Sequence, residues 1–263
     1  MTQPIAIVGL SLRYPGFCGP AAFFDSCRSM HSRLVKFKPE EVRPYLGDHP
    51  RGKKHPYRIN NVRYGSIRDI SWIDSARFRV PPTDIDGDPS PFLCLQVASE
   101  ALLDHCGGRG QSVIPKERTG VVIGRGDHPH RGLWSGLQGG SGFELVRDLL
   151  LERRDLFTES QVDAVVETLL ERMRPYPSPS IAASLVSNVI SGLVANRLNL
   201  QGPNFLVDAA CASAIVAIQQ AVRSLEHQET DLMLVGTVQA TMSVPIIQMF
   251  SMIGAISKDD VQP

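Results

Sequence analysis

Gly202-Pro203-Asn204-Phe205-Leu206-Val207-Asp208-Ala209-Ala210-Cys211-Ala212-Ser213-Ala214, continuing through Ile215-Val216-Ala217-Ile218-Gln219-Gln220-Ala221-Val222 to Glu226, is the stretch on which the reading of this chain turns. A short apolar run passes through tiny residues into a helical pattern, which predicts strand, tight turn and buried helix with Cys211 at the helix start. The first N–H groups of a helix lack intrahelical acceptors and its end carries partial positive charge. A thiolate is favoured there, and the thiol pKa is expected to fall below its free value of about 8.5. The surrounding alanines leave room for a substrate. A lone Cys among apolar residues can equally serve as a packing residue, and this stretch alone leaves both readings open.

The residues upstream extend the pattern. Asn188-Val189-Ile190-Ser191-Gly192-Leu193-Val194-Ala195-Asn196-Arg197-Leu198-Asn199-Leu200-Gln201-Gly202-Pro203-Asn204, then Val207-Asp208-Ala209-Ala210-Cys211-Ala212-Ser213-Ala214, resembles the nucleophile region of β-ketoacyl synthases. Ile5-Ala6-Ile7-Val8-Gly9-Leu10 followed by Arg13-Tyr14-Pro15-Gly16, and Leu232-Met233-Leu234-Val235-Gly236-Thr237-Val238, match at the right places, so the resemblance covers essentially residues 1–263. Val80-Pro81-Pro82-Thr83-Asp84-Ile85, the segment Glu117–Gly126 and the alanines before Cys211 are similar to synthase domains of iterative assembly lines making polyketide or polyunsaturated acyl products.

The resemblance implies an α/β fold, the N-terminal half of a thiolase-like αβαβα layered sandwich, formed by residues 1–263 as one β-ketoacyl synthase N-terminal domain. It implies that Cys211 is the nucleophile and that its backbone N–H is an oxyanion-hole donor. Cys211 would take an acyl group from the phosphopantetheine of an acyl carrier protein, and a malonyl-type extender would then condense with it by decarboxylation. No metal and no directly bound cofactor are implied. The carrier protein is the expected partner, and the helix and strand before the nucleophile imply a homodimer. In the family a second half supplies two histidines and a lysine. No His follows His227 in this sequence, so those partners have no counterpart here, and pairing with a separate or missing C-terminal half is expected. The alternative is a truncated synthase acting only as a dimerising scaffold; retention of Cys211 leans against a dedicated structural homologue. A serine hydrolase would need a G-x-S-x-G elbow, which is absent, and Ser213 lacks the flanking glycines.

Composition agrees with a cytoplasmic domain. The 263 residues are 43% hydrophobic and 21% charged, ordinary globular usage. Lys+Arg and Asp+Glu number 27 each, so no global field recruits nucleic acid or a membrane surface. Cys18, Cys27, Cys94, Cys106 and Cys211 are odd in number and not closely paired, against a disulfide framework, and no C-x-x-C supplies a zinc site. No run approaches the roughly 20 apolar residues that span a bilayer, and the first apolar run is too short for a signal core.

In chain order, Ile5–Leu10 is expected as a strand covered on both faces, without the G-x-G-x-x-G of a dinucleotide site. Ala21–Met30 is expected as a helix with Phe23, Phe24 and Cys27 on one face. Residues 31–75 are polar, basic and proline-broken: either a carrier-facing basic surface or, favoured because acidic residues dilute the charge, a solvated insertion loop. Trp72, Ile73 and Phe78 are expected to tuck its end onto the core. Pro89–Cys106 predicts a helix buried on most sides, and Thr119–Gly124 a central strand. His128 and His130 suit a turn better than a metal site, and the glycines at 136, 139, 140 and 142 lack the Lys-Ser/Thr of a P-loop. Phe143–Arg154 and Ser160–Arg174 read as amphipathic surface helices. Ile181–Leu198 reads as a long helix whose Gly192 and neighbouring small residues allow close packing. Asp231–Gly236 is a further central strand, Thr237–Met242 is expected to pair beside it, and Val244–Ser251 begins a helix.

Overall fold

The computed structural model describes residues 4–30, 33–38, 59, 63–65, 67, 69–81, 89–107, 109, 113–126, 141–173, 186–239 and 244–257. The chain runs through β1 (Arg13–Tyr14), β2 (Phe17–Cys18), α1 (Pro20–Arg28), β3 (Val35–Lys36) and β4 (Arg63–Tyr64). After a helical turn at Ser75–Phe78 come α2 (Ser90–Cys106), β5 (Thr119–Gly124), α3 (Ser141–Leu151), α4 (Glu159–Met173) and α5 (Val189–Leu198). Last are β6 (Asn204–Val207), α6 (Ser213–Glu226), β7 (Leu232–Thr237) and α7 (Val244–Met252). The chain divides into one unit of Met1–Asp74, Ser90–His128 and Ile190–Pro263 and a second of Ser75–Pro89 and Pro129–Val189.

In the first unit β5 is apolar on both faces and becomes the middle of a parallel three-stranded sheet, β6-β5-β7. Val121 stands opposite Asn204 on one side and Leu234 on the other, and Gly124 opposite Val207 and Thr237. All six β5 residues are buried, the usual state of a parallel strand covered by helices. Val122 packs on Ala217 and Ala221 of α6, with Phe205, Val207, Met233 and Val235 around them. Small residues let this helix lie close to the sheet. α2 is buried along most of its length, including Phe92, Leu93, Leu95, Ala98 and Leu102, as its apolar circumference predicts.

Ile5–Leu10 is not a strand. The segment has no ladder partner among the described residues, and Ile7 is 90% exposed. Its backbone lies along α2 instead: the Leu10 N–H donates to Asp104 Oδ2 at 2.9 Å. At Gly9, a Cβ would stand 2.4 Å from the Ala101 carbonyl oxygen. A helix flank has no free row of backbone groups to form a ladder, so the apolar side chains remain uncovered. The following residues are anchored by Arg13, which pairs with Glu100 at 2.7 Å and lies 4.8 Å from the Trp72 ring centroid.

α1 forms with Phe23, Phe24 and Cys27 on one face, but that face is not covered: Phe24 and Cys27 are exposed and the buried residue is Ser26. Tyr14 stacks on Phe23, centroids 4.6 Å apart, on the outer side. The described parts of 31–75 are more than a solvated loop. β3 pairs antiparallel with β4, and Phe37, Ile59, Tyr64 and Ile247 form a buried cluster in which Phe37 and Tyr64 stack at 3.9 Å. Most of the basic residues, Arg43, Arg51, Lys53, Lys54, Arg58 and Arg68, lie outside the described residues. Ile73 and Phe78 are buried and Trp72 half-buried.

α5 starts at Val189, later than expected, after a turn at 186–188, and 174–185 fall outside the described residues. Among the described residues, a Cβ on its Gly192 would meet Asn204 Oδ1 at 3.8 Å, an ordinary contact distance. β7 extends to Thr237, and the pairing expected through Met242 falls partly on 240–243, outside the described residues. In the second unit α3 and α4 form a helical pair joined by Arg147, which reaches Asp163 at 3.0 Å and Glu159 at 3.4 Å.

Candidate active site

β6 delivers the chain to the end of the sheet where the three parallel strands finish, and the Arg125 N–H extends the ladder by one bond to the Val207 oxygen at 3.0 Å. Beyond it the chain turns sharply. Asp208 Oδ1 accepts from the Ala210 N–H at 2.9 Å, the side-chain turn for which Asp is suited. Ala210 has φ +48°, a left-handed conformation costing an alanine about 1–2 kcal/mol. A 3₁₀ turn over Ala210–Ala212 then leads into α6. Cys211 sits in that turn, exposed, as the sequence places it.

Ser213 braces the turn from behind. It is 4% exposed, its hydroxyl donates to the Ala210 oxygen at 2.7 Å, and the hydroxyl oxygen in turn accepts from the Ala209 N–H at 2.9 Å. The Ala212 N–H donates to the Ala209 oxygen at 3.0 Å, and the Ser213 N–H to the Ala210 oxygen. These bonds take the N–H groups of Ala209, Ala210, Ala212 and Ser213 and leave that of Cys211 outside. Ala212, at the N-cap of α6, makes no side-chain cap bond, and no acidic residue occupies the first turn. The positive end of the helix is therefore not offset by a carboxylate of its own first turn.

Gly124 sets how close this turn comes to the sheet. A Cβ there would stand 2.7 Å from the Ser213 oxygen, 2.8 Å from its carbonyl carbon and 3.0 Å from Thr237 Cγ2. The start of α6 thus rests on the bare backbone at the end of β5.

Other candidates separate from this point. His227 caps the far end of α6 and its N–H donates to the Arg223 oxygen, about 24 Å from Cys211 at 1.5 Å per residue. His105 lies in the last turn of α2. His128 and His130 lie outside the described residues, as do the glycines at 136, 139 and 140, while Gly142 is inside α3. No group of three His, Cys, Asp or Glu among the described residues could hold a metal ion, and no described helix is long and apolar enough to cross a membrane.

Two features escape the sequence reading. Arg125 is only 2% exposed, although it follows a strand and reads as the first loop residue. The signal was the period-2 alternation: Arg125 shares the face of Val121 and Ile123, opposite the face that meets α6. Nearby, burial pushes the Cys94 thiol up to about 12, with the Arg125 charge acting in the other direction. The other is the bracing by Ser213, signalled only by a hydroxyl residue three positions after Ala210.

Residues 2–263 match the family model described as the β-ketoacyl synthase N-terminal domain. One phenolphthiocerol/phthiocerol polyketide synthase of Mycobacterium tuberculosis (strain CDC 1551 / Oshkosh) is 27% identical over 260 residues, 98% of this chain and 12% of that protein. Tenellin synthetase of Beauveria bassiana is 26% identical over 241 residues, 90% of this chain and 5% of that protein. The chain thus spans about an eighth or less of the length of these curated relatives. Among solved structures, the oxazolomycin ketosynthase domain of Streptomyces albus JA3453 gives a TM-score of 0.68 at 19% identity, covering 96% of this chain and 37% of that one. The PfaC keto synthase/chain length factor gives 0.70 at 16% identity, covering 95% and 26%. At such identities the likeness shows the fold, which is the thiolase-like α/β fold of ketosynthases. By its match over nearly every residue, the chain belongs to the β-ketoacyl synthase family and is a form of that family's N-terminal domain.

Proposed function

We propose that this chain carries the acyl-accepting part of a β-ketoacyl-[acyl-carrier-protein] synthase in fatty acid or polyketide biosynthesis, with Cys211 as the nucleophile. The observation that carries the reading is the turn at Cys211: an exposed thiol at the uncapped start of α6, with its own N–H outside the internal bonds of the turn. The Cys211 thiolate attacks the carbonyl carbon of an acyl thioester on the phosphopantetheine arm of an acyl carrier protein. The oxygen takes up the negative charge beside the Cys211 N–H, and collapse expels the carrier thiolate, which takes a proton. One oriented N–H donor of this kind contributes about 3–4 kcal/mol to a transition state, and covalent capture divides the condensation into two easier steps. A malonyl unit then loses carbon dioxide, its enolate attacks the Cys211 thioester, and the cysteine thiolate leaves.

Decarboxylation needs groups beyond the residues described around Cys211. The exposed side of α6 supports pairing with a complementary synthase half: Ile215, opposite the alanines that pack on the sheet, is 70% exposed, and Ile218, on the flank of the helix, 50%. An apolar face of that kind on the helix that begins at the nucleophile calls for a cover. Homodimerisation is the further partner reading, supported by β6 being an outer strand of the sheet among the described residues, a position from which another chain can add. The reaction requires no metal or nucleotide, and a cytoplasmic location fits carrier-protein substrates.

The test is transfer from an acyl carrier protein loaded with a labelled acyl group, followed by addition of malonyl-loaded carrier protein. Label should move to the chain and depend on Cys211. A 3-oxoacyl product should appear when the complementary half is supplied, whereas label that stays on the carrier, or transfer that survives Cys211→Ala, rejects the reading.

A further inference from the structure

We propose that Ser213 is a positioning residue for the reaction at Cys211, its hydroxyl gripping the back of the peptide unit whose front is the Cys211 N–H. This rests on the reading of Cys211 as the acyl-accepting nucleophile.

A peptide unit is planar, and the chain has no cis bond among its described residues. The Ala210 carbonyl and the Cys211 N–H therefore belong to one rigid plane and point in opposite directions. Two donors hold the carbonyl end: the Ser213 hydroxyl at 2.7 Å and the Ser213 backbone N–H. With the oxygen fixed, the N–H on the opposite edge is fixed too, aimed away from the core of the turn. A hydrogen bond received at the carbonyl also polarises the amide, so the opposing N–H becomes a stronger donor.

The same hydroxyl accepts from the Ala209 N–H at 2.9 Å, bracketing Ala210 on both sides. That bracket opposes the intrinsic preference of the alanine, which at φ +48° would otherwise relax toward a right-handed conformation. Relaxation would rotate the peptide plane between Ala210 and Cys211 and turn the N–H off its line. The thiol would remain exposed but lose its oxyanion donor. Burial of Ser213 at 4% exposure keeps water from replacing either bond.

Two chemistries at the same sulfur distinguish this role from general support of the fold. Alkylation by iodoacetamide displaces iodide at carbon and develops no oxyanion, so it reports only on the thiol and its access. Acylation by decanoyl-N-acetylcysteamine passes through a tetrahedral oxyanion and needs the N–H. Both rates are read by mass spectrometry at Cys211. In Ser213→Ala the acylation rate is expected to fall at least tenfold while alkylation stays within threefold of the unsubstituted chain. A smaller fall, or an equal fall in both rates, overturns the proposal. If Ser213→Ala does not fold by circular dichroism, Ser213→Thr and Ser213→Val, equal in shape and differing in the hydroxyl, decide it. The Val form should acylate at least tenfold more slowly than the Thr form, and a smaller gap overturns the role. Absence of acylation in the unsubstituted chain instead removes the nucleophile reading itself and the positioning role with it.

Discussion

Replacing Gly124 by alanine should loosen the seat of the nucleophile turn more than any other single methyl added to the sheet. The new Cβ would lie 2.7 Å from the Ser213 oxygen and 2.8 Å from its carbon. Ordinary contact begins near 3.4 Å, so the start of α6 must retreat by about 0.7 Å, the difference between the two distances. The obstructing atoms are backbone in the first turn of a helix, which cannot swing aside as a side-chain tip can. Overpacking of this kind costs about 1–3 kcal/mol, and the rigidity of the neighbour places it at the upper end. With a urea slope of about 2–3 kcal/mol per molar, a loss of 3 kcal/mol lowers the unfolding midpoint by about 1 M. Two companion substitutions calibrate the measurement. Gly236→Ala meets, among the described residues, only Ile123 Cδ1 at 3.4 Å and should change the midpoint little. Gly192→Ala, in helix α5, places its methyl no nearer than 3.8 Å to any described group beyond its own stretch of helix and should stabilise by about 0.5–1 kcal/mol. A Gly124→Ala midpoint equal to that of Gly236→Ala, at unchanged slope, would refute the close seating of α6 on β5.

Thiol chemistry supplies further tests. In the native chain Cys18, Cys27 and Cys211 should react with a disulfide reagent at neutral pH, and Cys94 and Cys106 only after unfolding, because they are buried; prompt reaction of all five would contradict the packing of α2. Burial raises the Cys94 thiol from 9.0 to about 12, so between those values the unfolded chain has lost a proton that the folded chain keeps. Stability should therefore decline as pH rises through this window, and Cys94→Ala should flatten that decline in urea titrations at successive pH values. At the acid end, the hydrogen bond from Arg118 holds the Asp231 carboxyl below its ordinary value. The stabilisation this brings is present above the unfolded carboxylate pKa and fades as pH falls through the lowered native one. Thermal unfolding of Arg118→Met from neutral to acid pH should show a shallower acid limb than the unsubstituted chain, and parallel curves would contradict the assignment.

The sheet and its nucleophile turn were readable because burial leaves a plain signature there. β5 and β7 are short apolar runs, α2 is apolar nearly all round, and the change from Phe205-Leu206-Val207 through small residues to α6 marks a strand entering a helix. Apolarity states that a segment seeks cover but not what covers it, and this is where the reading of Ile5–Leu10 failed: the run docks along α2 without a ladder. The same limit applies to α6, whose alanines rather than its isoleucines face the sheet. Cys211 was legible as a residue, whereas the left-handed Ala210 and the bracket from Ser213 were not. Alanine carries no sign of positive φ, and a hydroxyl at a helix start is common enough to pass as ordinary capping.

The most direct measurement is peptide mapping by mass spectrometry after the folded chain is incubated with an acyl thioester. The acyl mass should appear on the peptide containing Cys211, be released by hydroxylamine as a thioester is, and vanish in Cys211→Ala. A folded chain in which that peptide stays unmodified, or in which the label settles equally on Cys18 and Cys27, would contradict the assignment of Cys211 as the acyl-bearing nucleophile.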